Sequence, residues 1–288
     1  MKAGFIGLGA LGRAMAQHLI EEGVELVVWN RTLAKTQGLH ASVADSPASV
    51  IEQAPHVFIN VRDSQAVEDV LTAQDGILAA DCDGKIIIDT TTNHFEAVAR
   101  FHALVAEAGG AYLEAPVMGS VVPASKGALS VLVSGEKVAF EEALPFLNLI
   151  GSQIFFLEQI GLASKMKVIN NLVLGVFMAG LAEAVALGEA AGLDKTRVLE
   201  LLAAGAGKSG ILSAKQQKLI DDDFSPHFSA AMIYKDLHYL QDLARTLERP
   251  LFTGSAVKEL YGMTFPQGVA DQDFSVIYAL FRGGGSVR

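Results

Sequence analysis

Cysteine is all but missing: Cys82 is the only one in 288 residues. A single cysteine excludes an intrachain disulfide and fits a reducing compartment. Its setting in Asp81-Cys82-Asp83 disfavours a thiolate. Basic charge is short as well, with 22 Lys and Arg against 32 Asp and Glu and a formal net charge of −10. That balance excludes general affinity for nucleic acid or acidic membrane surfaces, so an anionic substrate needs a local cluster of cations. The seven histidines are scattered without metal-ligand spacing, and no metal is expected. No G-x-S-x-G elbow and no P-loop occurs. The amino terminus has no basic segment followed by an apolar run and a cleavage site. The longest apolar stretch, around Leu172–Leu187, is broken by Gly175, Gly180 and Glu183, which predicts a buried helix rather than a membrane span. The expected location is the cytoplasm.

What is present is a globular composition, 51% hydrophobic and 19% charged. To about residue 160, short apolar runs alternate with helical periods, the pattern of βαβ units on a mostly parallel sheet. Strands are predicted at Lys2–Ile6, Glu25–Trp29, His56–Val61, Lys85–Ile88 and Ala111–Glu114, then Ala128–Ser134 and Ile154–Phe156. The character changes after Gly161. Leu162–Ala191 holds no proline and is rich in Ala, Leu, Val and Met, which predicts one helix of about 45 Å. Asp194 is placed to cap the next helix, with breaks near 205–210, 221–226, 248–250 and 262–268. The predicted fold is α/β: a Rossmann-type doubly wound sheet over 1–161, then an all-helical domain over 162–288, joined by the long helix. The tail Gly283-Gly284-Gly285-Ser286 is expected to be loose.

Gly7-Leu8-Gly9-Ala10-Leu11-Gly12 is a G-x-G-x-x-G between a strand and a helix. Its glycines permit a tight turn, close approach of a pyrophosphate and tight packing, with the phosphates at the positive end of the helix dipole. The second strand selects the dinucleotide. NAD binders carry an acidic residue at its end for the ribose 2′-OH, but here Asn30-Arg31-Thr32 stands there. Arg31 offers a planar fork to a 2′-phosphate, Asn30 and Thr32 add hydrogen bonds, and Lys35 lies a turn further on. NADP(H) is therefore the expected cofactor.

Lys165 and Lys167 open the long helix. Lys167 and Asn171 are four apart and share a face, whereas Lys165 points about 200° away. The helix dipole and burial both disfavour a charged lysine there, which makes it a usable proton donor or acceptor. Spacing alone does not separate this role from that of an ordinary solvated lysine.

Several segments together resemble the β-hydroxyacid dehydrogenase family. They are Gly4-Phe5-Ile6-Gly7-Leu8-Gly9 with Met15-Ala16, Glu114-Ala115-Pro116-Val117-Met118-Gly119-Ser120, Gly161 through Lys167 to Asn170-Asn171, and Lys235-Asp236. The family includes 3-hydroxyisobutyrate dehydrogenase and the glyoxylate/succinic semialdehyde reductases, and Trp29-Asn30-Arg31-Thr32 most resembles the NADPH-dependent reductase branch. The resemblance implies that Lys167 is the catalytic lysine and Asn171 its orienting asparagine. It implies that Met118, Gly119 and Ser120 grip the substrate carboxylate, helped by a helix beginning at Pro123. Thr92 would lie beside the nicotinamide, Lys235 would contact the cofactor, and Phe228 and Asp236 would help close the pocket. The implied partner is a small carboxylate-bearing carbonyl or hydroxy compound, and the implied assembly is a homodimer or homotetramer.

Three positions depart from the family pattern. Met118 replaces a usual serine, which removes a hydroxyl donor and either lowers affinity for small hydroxyacids or admits a bulkier, more apolar carbonyl compound. Arg62, in Asn60-Val61-Arg62-Asp63, supplies a further cofactor contact beside Val61 or is an exposed charge. The stretch from Thr32 to Pro47 is short, trimming the helix after Arg31. Two competing readings are an imine reductase, against which Lys167 counts, and a non-catalytic NADP-binding module. Elsewhere, His238 suits packing and Asp221-Asp222-Asp223 suits a solvated loop better than a cation site.

Overall fold

A computed structural model describes residues 1–282; the Gly283-Gly284-Gly285-Ser286 tail lies outside the described residues. The chain divides into two compact units, Met1–Lys167 and Val168–Arg288.

The first unit is built on strands β1 (Lys2–Ile6), β2 (Glu25–Trp29), β3 (Ser42–Val43), β4 (His56–Ile59), β5 (Ile86–Asp89) and β6 (Ala111–Glu114). They form one parallel sheet in the order β3-β2-β1-β4-β5-β6, the doubly wound arrangement with its switch point between β1 and β4. Alternation along the strands sorts the core into two faces. Phe5, Val28, Phe58, Ile88 and Leu113 pack on one side with Met15 and Leu19 of helix α1 (Ala10–Glu21). Ile6, Val27, Val57, Ile59 and Ile87 pack on the other. That second face is covered by α2 (Pro47–Gln53), α3 (Ser64–Thr72) and α4 (Phe95–Glu107). Each such side chain contributes about 1.5–3 kcal/mol on full burial, and burial on both faces explains why these strands are apolar throughout. Gly23 takes φ +84° and ends α1 in the left-handed cap its sequence predicts.

A second sheet of three strands follows: β7 (Val117–Met118), β8 (Leu129–Val133) and β9 (Gly151–Phe156), in the order β7-β8-β9. Between them lie α5 (Val121–Ala124) and α6 (Lys137–Ile150). Strands β3 and β7 are two residues long, too short to show a period in sequence. The predicted strand His56–Val61 ends at Ile59: the Asn60 N–H still donates to the Ile6 carbonyl (2.8 Å), but the Val61 N–H turns to Thr91 Oγ1 (3.1 Å).

Helix α7 (Leu162–Ala190) runs 29 residues and by length and composition could cross a membrane. Its apolar residues divide by face. Val168, Met178, Ala182 and Val185 are buried, while Ile169, Val173, Phe177 and Leu187 are 39–70% exposed. The expected burial holds for one side of the helix, and an apolar stripe on the other faces outward in the single chain. The second unit continues with α8 (Lys195–Ala204), α9 (Gly210–Ile220), α10 (Ala230–Thr246), α11 (Phe252–Gly262) and α12 (Ile277–Phe281). Asp194 caps α8 by accepting from the Thr196 and Arg197 N–H groups. The fully buried Asp273 accepts from Lys215 Nζ at 2.7 and 2.8 Å, tying α9 to the turn before α12. The acidic run 221–223 is not simply solvated, since Asp222 pairs with Lys195 and Arg282, and Asp223 pairs with Lys218.

Candidate active site

The glycine turn sits at the switch point, and each glycine there has a separate reason. Gly7 takes φ +98°, and a Cβ on it would meet the Asn60 carbonyl oxygen at 2.2 Å. A Cβ on Gly12 would meet the Gly7 carbonyl oxygen at 2.1 Å. A Cβ on Gly9 would meet nothing within 4 Å, so that position is open towards a ligand. Gly9 is also the N-cap of α1 and has no side chain to close it. The first turn, with Ala10 and Leu11, therefore presents backbone N–H groups to an anion. This cradle fits a dinucleotide pyrophosphate.

At the end of β2 the side chains take distinct places. Asn30 Oδ1 accepts from the Leu8 N–H (2.8 Å), and its Nδ2 donates to the Thr32 carbonyl (2.9 Å). Asn30 therefore braces the glycine turn, a use different from the phosphate contact its sequence position suggests. Arg31, Thr32 and Lys35 are exposed, with Lys35 in a short 3-10 turn over Leu33–Thr36. The Arg13 guanidinium holds that turn by donating to the Lys35 carbonyl (2.6 Å) and the Gln37 carbonyl (2.8 Å). Arg13 was not among the candidates. Its position just past the last glycine, on the first helix, is the available sequence signal.

The ends of β4 and β5 form a buried polar knot. The Val61 N–H donates to Thr91 Oγ1 (3.1 Å), and Asp89 accepts from the Thr91 N–H (2.9 Å), Asn93 Nδ2 (2.6 Å) and the Tyr112 hydroxyl. Burial pushes the Asp89 carboxyl up, against the hydrogen bonds from Thr91, Tyr112 and Asn93. Thr90 and Thr91 are buried, and Thr92 is the half-buried member of the run. The Arg62 side chain is 75% exposed, with its Nε 3.9 Å from Asp63.

Met118 closes β7, pairing with Ser130 of β8, and Gly119 takes φ +127° where a Cβ would meet Leu129 at 2.7 Å. Ser120 is the N-cap of α5, so the helix begins at Val121 and not at Pro123, which is its third residue. Proline fits anywhere in a first turn, because the N–H it lacks is unpaired there. Sequence therefore leaves the start of this helix open by two residues.

Lys167 is 8% exposed. The helix that carries it is held by side chains distant in sequence. The fully buried Glu114, at the end of β6, accepts from the Gly161 N–H and, at 2.9 Å, from the Ser164 N–H. Ser134 Oγ accepts from the Ala163 N–H (3.1 Å). Burial pushes the Glu114 carboxyl up, while hydrogen bonds from Ser164 and Gly161 and the Lys165 charge oppose that rise. Lys165 itself lies 5.8 Å over the Phe95 ring, apart from Lys167 as the helical angle predicts.

In the second unit three candidates meet at one carboxylate. Asn171 Nδ2 donates to Asp236 Oδ2 (2.6 Å), and Lys235 Nζ stands 3.1 Å from Asp236 Oδ1 and 5.0 Å over the Tyr239 ring. Asn171 and Asp236 are both fully buried. Phe228 is separate, packed edge-on against Phe274 with centroids 5.8 Å apart. His238 packs edge-on to Tyr234. Among the described residues no group of three His, Cys, Asp or Glu is placed to hold a metal ion.

Comparison with known proteins agrees across both units. Residues 2–161 match the family described as the NAD binding domain of 6-phosphogluconate dehydrogenase. Residues 161–281 match the family described as NAD-binding of NADP-dependent 3-hydroxyisobutyrate dehydrogenase. Glyoxylate/succinic semialdehyde reductase 1 of Arabidopsis thaliana is 32% identical over 280 residues, 96% of this chain and 97% of that protein. The cytokine-like nuclear factor N-PAC of Anopheles gambiae is 33% identical over 285 residues, 98% of this chain but 50% of that protein. The crystal structure of 3-hydroxyisobutyrate dehydrogenase from Salmonella typhimurium superposes with a TM-score of 0.91 at 25% identity, covering 97% of this chain and 99% of that one. Psf3, solved in complex with NADP+ and 2-OPP, gives 0.90 at 26% identity, covering 96% and 99%.

Proposed function

Because the chain belongs to the 3-hydroxyisobutyrate dehydrogenase-like β-hydroxyacid dehydrogenases, an NAD(P)-dependent family, we propose that it is an NADP(H)-dependent reductase of a small aldehyde or keto acid, of the succinic semialdehyde, glyoxylate or 3-hydroxyisobutyrate type. The observation that carries this reading is Lys167, a nine-tenths buried lysine in a helix whose start is bonded to the end of β6.

A bound nicotinamide supplies or accepts the hydride. Lys167 holds a proton at Nζ and gives it to the carbonyl oxygen as negative charge develops there; in the reverse direction the amine takes the hydroxyl proton. Asn171, one turn further along the same helix face, orients the reacting oxygen. The Gly119 and Ser120 N–H groups hold the substrate carboxylate, and Met118 lines an apolar side of that subsite. Arg31 and Lys35 supply the cationic end for a 2′-phosphate, with no carboxylate at the end of β2 to oppose it. The NADP+ complex of Psf3 and the semialdehyde reductase relative support these choices. The same reading makes the protein a cytoplasmic homodimer or homotetramer, with the exposed Ile169, Val173, Phe177 and Leu187 stripe against a second copy.

The test is turnover across a panel of aldehyde and keto acids with NADPH and with NADH. Preference for NADPH, and a kcat about 10²–10⁴-fold lower in Lys167→Ala, are the expected results. Tight NADPH binding without turnover on any member would make the chain a binding module instead.

A further inference from the structure

We propose that Glu114 is a positioning residue for hydride transfer, fixing the turn that carries Lys167 to the strand end that leads into Met118-Gly119-Ser120. This inference rests on the reading of Lys167 as acid and base.

Helices are ordinarily capped by a neighbour in sequence, a Ser, Thr, Asp or Asn just before the first turn. Helix α7 is preceded by Gln159-Ile160-Gly161, none of which is a preferred side-chain cap. Its first N–H groups are instead taken by Glu114, which lies 47 residues from Gly161 and 50 from Ser164, and by Ser134, 29 residues from Ala163. A local cap stabilises a helix wherever the helix goes. A long-range cap also sets where the helix starts relative to the sheet, and only this second property matters for placing a lysine.

The two capping side chains are themselves held together. Glu114 and Ser134 form a β-bridge, with the Ser134 N–H donating to the Glu114 carbonyl at 3.0 Å. Glu114 is also in register with Asp89 of β5, whose side chain bonds the threonine run ending in Thr92. Both carboxylate oxygens of Glu114 accept from backbone, and the carboxylate is fully buried. A buried carboxylate is retained where N–H groups and a helix dipole face it. Lys167 follows three residues after Ser164, and Met118 follows four residues after Glu114. Proton donor and carboxylate-gripping turn are thus tied to one side chain. A displacement near 1 Å at a reacting group lowers turnover about 100-fold, and that is the error this clamp prevents.

The test is a double-mutant cycle on the full-length chain with NADPH and the panel's best keto or aldehyde acid. Glu114→Gln keeps size and one acceptor oxygen but turns an amide N–H towards a backbone N–H. Expected are a kcat about 10–100-fold lower, an NADPH Kd within about twofold, and about a threefold lower kcat in Ser134→Ala. In a Lys167→Ala background, Glu114→Gln should cost nothing more, since both act through one group. Should Glu114→Gln fail to fold, Ser134→Ala takes its place in the same cycle. A lowered melting temperature with unchanged kcat, or an equal loss in the Lys167→Ala background, would overturn the proposal and leave Glu114 a structural cap. Near wild-type turnover in Lys167→Ala would overturn the acid–base reading and this inference together. An inactive Lys167→Ala beside a fully active Glu114→Gln would overturn this inference alone.

Discussion

The two units build their functional ends from different materials. In the first, the cofactor turn is made by backbone: Gly7, Gly9 and Gly12 contribute the absence of side chains, and the strand ends supply carbonyls and N–H groups. In the second, buried side chains do the corresponding work, with Asp236 between Asn171 and Lys235, and Asp273 beneath Lys215. The cause lies in where each element keeps its backbone polar groups. Parallel strands ending together leave a row of unsatisfied groups at one edge, ready to face a ligand. Helices satisfy their own backbone except at the ends, so a polar site on helix flanks must come from side chains, and buried side chains must be paired.

It follows that the second unit should fail when a side chain is removed, and the cofactor turn of the first when one is added. Asp273→Ala leaves Lys215 buried without its carboxylate, and urea titration should show about 3–5 kcal/mol lost. An unchanged midpoint would mean that the helical unit does not depend on this pair. Gly7→Ala forces a Cβ to 2.2 Å from the Asn60 oxygen at φ +98°. It should cost about 3 kcal/mol and abolish NADPH binding by fluorescence titration. Retained binding would show that the turn has more freedom than its contacts allow.

Acid sharpens the contrast. His102 lies against Tyr112 with ring centroids 4.9 Å apart, and burial lowers its pKa from 6.5 to about 4. The unfolded chain then binds more protons than the folded one between those values. The histidine's contribution is therefore complete above pH 6.5 and is lost as pH falls towards 4, up to about 3 kcal/mol. Burial raises Asp89 and Glu114, so their slopes run the other way, with stability falling as pH rises. Asp273 differs: burial pulls it up but Lys215 and Ser275 hold it below its ordinary value. Its contribution is lost only at more acidic pH, below 3.8. Subtracting the His102→Phe stability curve from that of the wild type, over pH 7 to 4, isolates the histidine; superimposable curves would remove it as an acid-sensitive group. The smallest effect is expected at the cofactor rim. Arg31→Ala should lower kcat/KM for NADPH about tenfold and leave NADH within about twofold; equal losses with both would point to a general electrostatic role.

Legibility from sequence followed the range of the interaction. The β1–α1–β2 unit, the glycine turn and the extent of α7 were all visible, since each is set by neighbours within a few residues. Asn30 was visible as a position but not in its use, because its Leu8 partner lies 22 residues away. Arg13 goes unnoticed, and Glu114 enters only as the first residue of a motif, for the same reason. The apolar excess of α7 is legible in sequence, but which of its faces the chain itself covers is not.

By itself, then, the sequence determined the longer strands and helices in their order, the dinucleotide turn and the absence of a carboxylate at the end of β2. These are properties of local conformation and residue chemistry. Only the tertiary structure decided that Gly9 is the open glycine while Gly7 and Gly12 are crowded, that Asp236 holds Asn171 and Lys235 together, and that α7 begins under Glu114 and Ser134. Those outcomes depend on which atoms approach across dozens of residues, and a buried polar atom chooses its partner only when folding has removed the water.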